Sequence, residues 1–446
     1  MDEIISPYFT QEELEILSRE SGFVKRTSKL SGSIFLELII FNSEQLKKQS
    51  LNDLTTTLSN KYQIDITKQS LNERFNKYAV TFVQMALEKM LNSQIDRDKL
   101  FEIEGVNRIL LKDSVCFQLD ESFADKYPGS GGSASKAAVR IQFEYDLLNG
   151  KINDLSLNPY TRQDATDSLE TIDLTQEGDL IIRDLAYMSI NVLKKIKGMF
   201  ICRLKSQLSA YELNEETGEY ILIDFKSIYK ELRSKQMNKL EKVVYLGKDK
   251  IKVRLFIYLL PEEEYARRIR KAKKKNASKT KSKQLSKEYK SRAAMNLLIT
   301  NAAESILTVD NAWKIYKLRW QIELIFKIWK SICEIDKVKK VKEERLECYI
   351  YSKLIMIVSG WKLVWQVASW LHEREHKALS FYKAYKTLIR EHLEDLKGFF
   401  VLISNKTNKE FVKKFYSTSK RYHLKEKRKG RLSIEETLES LALTSC

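Results

Sequence analysis

Hydrophobic period changes sharply along this chain of 446 residues, and the change restricts the folds open to it. From about residue 8 to 105 apolar side chains recur at three- and four-residue steps with no proline after Pro7, which is a helical pattern. At Arg108-Ile-Leu-Leu-Lys-Asp-Ser-Val-Cys-Phe-Gln-Leu119 the pattern becomes short and β-branched, as in a strand. The runs Ala138-Val-Arg-Ile-Gln-Phe-Glu-Tyr and Ile152-Asn-Asp-Leu-Ser-Leu then flank Asn149-Gly150, a strong hairpin signal. A helical stretch near 164–176, a strand Asp179-Leu-Ile-Ile-Arg-Asp184, another helix and the strand Met199-Phe-Ile-Cys-Arg-Leu204 follow. A chain with this order is mixed α/β behind an all-helical N-terminal region.

Charge narrows the partners. Lys and Arg outnumber Asp and Glu by 78 to 60, a net charge of +18, which attracts polyanions. No lipidation motif and no uninterrupted apolar span accompany it, so nucleic acid is the expected polyanion and no membrane partner is expected. The N-terminus Met1-Asp-Glu-Ile-Ile-Ser-Pro lacks the basic and apolar regions of a secretory signal, and a cytoplasmic location is expected. Cys116, Cys202, Cys333, Cys348 and Cys446 are scattered and odd in number, which argues for a reducing compartment and against a disulfide frame or zinc site. His372 and His376 have helical spacing, but Glu373 and Glu375 beside them read as a solvated helix face. The apolar stretch Cys348 to Leu371 contains Lys353 and Lys362 and reads as a buried or interfacial helix. Gly129-Ser-Gly-Gly-Ser-Ala lacks the Gly-Lys-Ser/Thr ending of a phosphate cradle and reads as a flexible loop.

Within the helical region, Ser50 begins a segment with Leu51, Leu54 and Leu58 on one face, and a second segment starts at Thr67 or Ser70. Two short helices across a tight break resemble a helix-turn-helix. Leu71 and Phe75 are expected to pack inward, leaving Lys68, Gln69, Asn72 and Asn76 to meet base edges or phosphates.

The residues richest in chemistry lie in Ile315-Tyr-Lys-Leu-Arg-Trp-Gln-Ile-Glu-Leu-Ile-Phe-Lys-Ile-Trp-Lys330. On a continuous helix Tyr316, Arg319, Glu323 and Lys330 fall within an arc of roughly 60°, and Asp310 can cap its start. A carboxylate between two cations and a phenol suits a phosphate held near a metal ion. This order also resembles the Tyr-Arg-Glu-Lys signature of the DDE-class transposases of bacterial insertion sequences. An acid inside an apolar strand is costly unless it is paired or holds metal, which sets Asp113 and Asp184 apart from other acids.

Three strands, a helix, a strand, a helix and a strand is the element order of an RNase H-like fold, in which Asp113 on the first strand and Asp184 after the fourth take the places of the first two acids. The resemblance implies Asp113, Asp184 and Glu323 as catalytic metal ligands for two Mg²⁺ ions, with Mn²⁺ expected to substitute. It implies that Tyr316, Arg319 and Lys330 hold phosphates, with Trp320 against the DNA. Transposon ends and target DNA are the implied substrates, bound by a homodimer at the nucleoid. The expected organisation is a helical DNA-binding domain over 1–105, an RNase H-like core over 106–206 and 293–400, a β-rich insertion over 207–292, and a basic region over 401–446. The insertion ends in Arg267 to Arg292, thirteen cations against one Glu, which favours contact with the DNA backbone, as does the basic tail from Lys406 to Arg431.

One position departs from the pattern. Relatives that form DNA hairpins commonly place a Trp immediately before a Leu-Leu-Leu-Thr-like strand, and here that place is Asn296; the first Trp of the chain is Trp313. Tyr289 is the aromatic candidate to replace it. Two other readings remain: an RNase H-like nuclease that cuts without joining, and a transposase-derived DNA-binding protein that does not catalyse.

Overall fold

A computed structural model describes residues 8–442 except 27, 43–49, 95–100, 133, 278–283, 401–404 and 427–433. The N-terminal residues before Tyr8, Ser133 of the glycine loop, part of the basic segment, part of the basic tail and Cys446 thus lie outside the described residues.

The helical period of the first hundred residues yields α1 (Gln11–Glu20), α2 (Gly32–Phe41), α3 (Leu51–Tyr62), α4 (Lys68–Arg74) and α5 (Lys77–Asn92). Each of these starts on a side chain that satisfies a backbone N–H of the first turn: Thr10, Ser31, Ser50, Thr67 and Asn76. Next come β1 (Arg108–Gln118), β2 (Ala138–Asp146), β3 (Ile152–Pro159), α6 (Asp164–Glu170), β4 (Asp179–Arg183), α7 (Ile190–Lys195) and β5 (Met199–Arg203). These follow the sequence expectation closely.

The stretch up to residue 300 holds β6 (Ala210–Leu213), β7 (Tyr220–Leu222), α8 (Phe225–Ser234), β8 (Lys239–Leu246), β9 (Ile251–Leu259), α9 (Glu262–Ala277), α10 (Lys287–Ala293) and β10 (Met295–Thr300). Three of them, β6, α8 and β8, are not evident in the sequence. In β8 the charged Lys239, Glu241 and Lys242 interrupt the apolar run, and it becomes a strand through eight paired positions with β9. The chain ends in helices: α11 (Ala312–Lys317), α12 (Trp320–Ser331), α13 (Glu343–Glu375), α14 (Phe381–Glu391), α15 (Leu393–Phe400), α16 (Asn405–Tyr422) and α17 (Ile434–Ala442).

The chain divides into two compact units. The first comprises Met1–Leu100, Ser114–Arg162 and Gln321–Ser433. Its centre is α13, against which α5 and α2 pack. By length and composition α13 could cross a membrane, but 83% of its most apolar window is buried within the protein, as the lysines in that stretch suggest. It ends at Glu375, and the cap residue His376, with a left-handed backbone (φ 49°), still donates its N–H to His372 O at 3.0 Å. The hairpin β2–β3 lies in this unit and pairs antiparallel from Val139↔Pro159 to Tyr145↔Ile152. Asn149-Gly150 ends a longer loop rather than forming a two-residue turn, because Gly150 N–H closes on Asp146 O and Asp146 N–H on Lys151 O.

The second unit comprises Phe101–Asp113, Gln163–Trp320 and Ile434–Cys446. There the start of β1 runs parallel to β4, and β4 parallel to β5. Then β10 pairs antiparallel with both β5 and β9, and the sheet continues through β8 and β6 to β7. A core of Leu110, Ile181, Phe200, Val244, Leu255 and Leu297 runs along it, closed by Val192 of α7 and Leu232 of α8. Roughly 25 cal/mol per Å² of buried apolar surface makes such a core the main source of stability.

Candidate active site

In the second unit the site begins with strand register. Lys112 pairs with Arg183 across the parallel β1 and β4, so Asp113 and Asp184, each one residue further, follow side by side at the ends of the pairing. Side chains alternate along strands, so Asp113 on β1 faces away from Lys112, and Asp184 follows Arg183 just past the end of β4. Both acids are half-buried, and the backbone N–H of Leu185 donates to Asp184 Oδ1 at 2.8 Å.

Two cationic and aromatic groups join them. Arg319 Nη1 lies 3.1 Å from Asp113 Oδ2, with about a fifth of each side chain exposed. Tyr316 is buried, and its hydroxyl pKa is pushed up to about 12: burial is the main cause, Asp184 adds to it, and Arg203 and Arg319 oppose it. The Arg203 guanidinium lies 5.9 Å from the centre of the Tyr316 ring, and Trp313 stacks on that ring at 5.9 Å. A neutral phenol, two guanidinium groups and two carboxylates therefore share one neighbourhood.

The signature segment is not one helix. It breaks at Leu318-Arg319, where Leu318 N–H bonds to Ile315 O and Arg319 N–H to Tyr316 O in tight i, i+3 turns. The continuous helix that the 60° arc assumes is therefore interrupted between Tyr316 and Glu323. Burial of Tyr316 and Leu318, with Arg319 turned onto Asp113, accounts for the break. Asp310 does not cap α11 either; it pairs with Lys239, and Asn311 holds the cap position without a side-chain bond.

Trp320, at the start of α12, is 48% exposed. Further along α12, in the first unit, Glu323 and Lys330 are both exposed, two turns apart, and Lys330 Nζ donates to Cys116 O at 3.1 Å.

Among the described residues no group of three or more His, Cys, Asp or Glu side chains gathers as a ready ligand set. The donor chemistry of Asp113 and Asp184 nonetheless suits a hard divalent cation, and Asp113 already holds one positive charge, that of Arg319.

The N-terminal candidates separate by burial. Leu71 and Phe75 are fully buried while Lys68 and Gln69 are exposed. Asn72 Oδ1 accepts a long contact from Arg345 at 3.5 Å. Asn76 differs from the others: its Oδ1 accepts from Tyr78 N–H and Ala79 N–H, and its Nδ2 donates to Glu73 O, so it caps α5. Asn296 is buried in β10 and accepts a hydrogen bond from Arg268, whereas Tyr289 on α10 is 47% exposed. Arg203 and Arg268 carry no motif; only the fold brings them beside Tyr316 and Asn296.

The Transposase DDE domain family matches residues 104–359. The chain is 33% identical over 411 residues to the transposase for insertion sequence element IS231E of Bacillus thuringiensis subsp. finitimus, covering 88% of this chain and 85% of that one. It is also 30% identical over 469 residues to the transposase for insertion sequence element IS1151 of Clostridium perfringens, covering 99% and 96%. With the family matched over more than half of its length and such relatives along nearly all of it, the chain belongs to the DDE-class transposases of insertion sequences.

Proposed function

We propose that this transposase binds the terminal inverted repeats of its own element as a homodimer and moves the element by cutting and rejoining DNA. The observation that carries this reading is the pair Asp113 and Asp184 on neighbouring parallel strands, with Tyr316 and Arg319 beside them. β1 running beside β4 and β4 beside β5, together with the β2–β3 hairpin, supports an RNase H-like core.

Asp113 and Asp184, with Glu323 as third ligand, would hold divalent ions, for which Mg²⁺ is the natural choice among all-oxygen donors. Such ions supply Lewis acidity at the attacking and leaving oxygens. In the first step a water oxygen attacks the phosphorus at the transposon end, the P–O3′ bond breaks, and a 3′ hydroxyl and a 5′ phosphate result. In the second, that hydroxyl attacks a phosphodiester of the opposite strand or of target DNA, releasing another 3′ oxygen.

Arg319 and Lys330 bind the phosphate oxygens around the cut, and Tyr316, neutral at working pH, donates a hydrogen bond to one of them. The exposed Trp320 ring packs against the DNA. Lys68, Gln69 and Asn72 on α4 contact the end sequence, and Asn76 supports them by starting α5. A hairpin route would use Tyr289 in place of the missing Trp. The protein works in the bacterial cytoplasm at the nucleoid.

The test is incubation of the purified protein with labelled linear DNA carrying the element's end and Mg²⁺, beside Asp184→Ala. End cleavage abolished in the variant, with joined or hairpin products from the wild type, supports the proposal. Cleavage without joining would leave a nuclease, and tight binding without cleavage by either protein a non-catalytic DNA-binding protein.

A further inference from the structure

Behind the two acids the sheet carries an unusual pair of charges. Lys112 and Arg183 are both fully buried, on central strands, at facing positions of the β1–β4 register. Each is the residue immediately before an acid of the proposed site.

Both point to α6 and the residue after it. Lys112 Nζ lies 2.7 Å from Asp167 Oδ2, with neither side chain exposed, and donates to Thr171 Oγ1 at 2.9 Å. Arg183 Nη1 donates to Ser168 Oγ, also fully buried, at 2.7 Å. A buried ion pair seldom stabilises a fold more than apolar residues of equal size would, so stability is a poor reason for this cluster. Directed bonds do something an apolar contact does not: they fix the strands in register and rotation.

That restraint falls where it is most needed. β4 ends at Arg183, so Asp184 lies just past the ladder, where strand pairing no longer holds it. A ligand must stay within about 0.5 Å of its productive position to serve a metal site. We propose that Lys112 and Arg183 are positioning residues, tied to Asp167, Thr171 and Ser168 on one face of the sheet so that Asp113 and Asp184 are aimed together on the other. The inference rests on the proposed site being correct.

The experiment measures Mn²⁺ binding to the full chain by electron paramagnetic resonance of the free ion, beside thermal unfolding and binding of end DNA. Asp113→Asn and Asp184→Asn test the site itself. The paired substitution Lys112→Met with Asp167→Leu removes both charges and leaves neither stranded. We expect Mn²⁺ affinity to fall 10- to 100-fold, the range typical of groups that orient metal ligands, with melting temperature and DNA affinity unchanged. A folded double variant whose Mn²⁺ affinity stays within twofold of wild type overturns the proposal. If the double variant does not fold, Ser168→Ala decides in its place: a severalfold drop in affinity supports the proposal and an unchanged affinity overturns it. Wild-type Mn²⁺ affinity in both Asp→Asn variants would remove the site reading and this inference with it. Weakened binding in those two variants alone would remove only the inference.

Discussion

Tyr316 and Asp113 illustrate how individual residues behave in this site. The Tyr316 hydroxyl, raised to about 12 chiefly by burial, stays protonated through the physiological range and can act only as a neutral donor or acceptor. Its raised value favours the folded state fully below the unfolded value near 10, and that contribution is lost as pH climbs from there through about 12. Tyr349 is raised likewise by burial, so an absorbance titration at 295 nm should show several late tyrosinates, with one fewer in Tyr316→Phe. The same variant should lower end cleavage about 5- to 10-fold, the equivalent of one hydrogen bond, without shifting the pH profile between 6 and 9. Asp113→Asn should lower cleavage by more than ~100-fold in a gel assay while end binding persists, and residual activity near wild type would exclude Asp113 as a ligand. Asp113 and Asp184 stand out as candidates in the sequence because a charge inside an apolar strand is anomalous by itself. Arg203 was not, since an Arg at a strand end has no such signature and meets Tyr316 only through the fold.

Among the elements, helices with clear caps and strands with clean alternation matched expectation, and the departures have local causes. The signature segment reads as one helix because nothing in Ile315–Lys330 is a helix breaker; the turn at Leu318-Arg319 comes from tertiary demands on Tyr316 and Arg319. Asn149-Gly150 was read correctly as a reversal but not as to its type. There Gly150 has φ 75°, Trp361 Nε1 donates to its carbonyl at 2.7 Å, and an added Cβ would lie 2.3 Å from the Trp365 ring. Gly150→Ala should therefore cost about 2 kcal/mol or more in urea unfolding, combining a strained backbone with overpacking. Gly360 allows α13 to approach α14, since a Cβ there would lie 3.0 Å from Tyr385 and 3.2 Å from Leu388. Gly360→Val should destabilise by about 1–3 kcal/mol in the same assay, and an unchanged midpoint would mean the two helices are free to separate.

For the whole molecule, charge is the property that the fold distributes. The excess of 78 basic over 60 acidic residues appears in part along α9, none of whose side chains is buried. Replacing Arg267, Arg270, Lys271 and Lys274 by Gln should weaken binding to all DNA sequences alike. The slope of log affinity against log salt, measured by fluorescence anisotropy, should become shallower by about 0.9 for each phosphate that the variant no longer neutralises. An unaltered slope would place the DNA elsewhere. The sequence by itself determined the family, the mixed α/β class and the order of elements through β5, and it singled out Asp113 and Asp184 as candidates, because periodicity, caps and a costly buried carboxylate are local signals. Tertiary structure alone decided which groups stand beside those acids: that Arg319 turns onto Asp113, that Arg203 meets Tyr316, and that Lys112 and Arg183 are anchored behind the sheet. These pairings join residues far apart in the chain, and no local pattern records which distant partner a side chain will find.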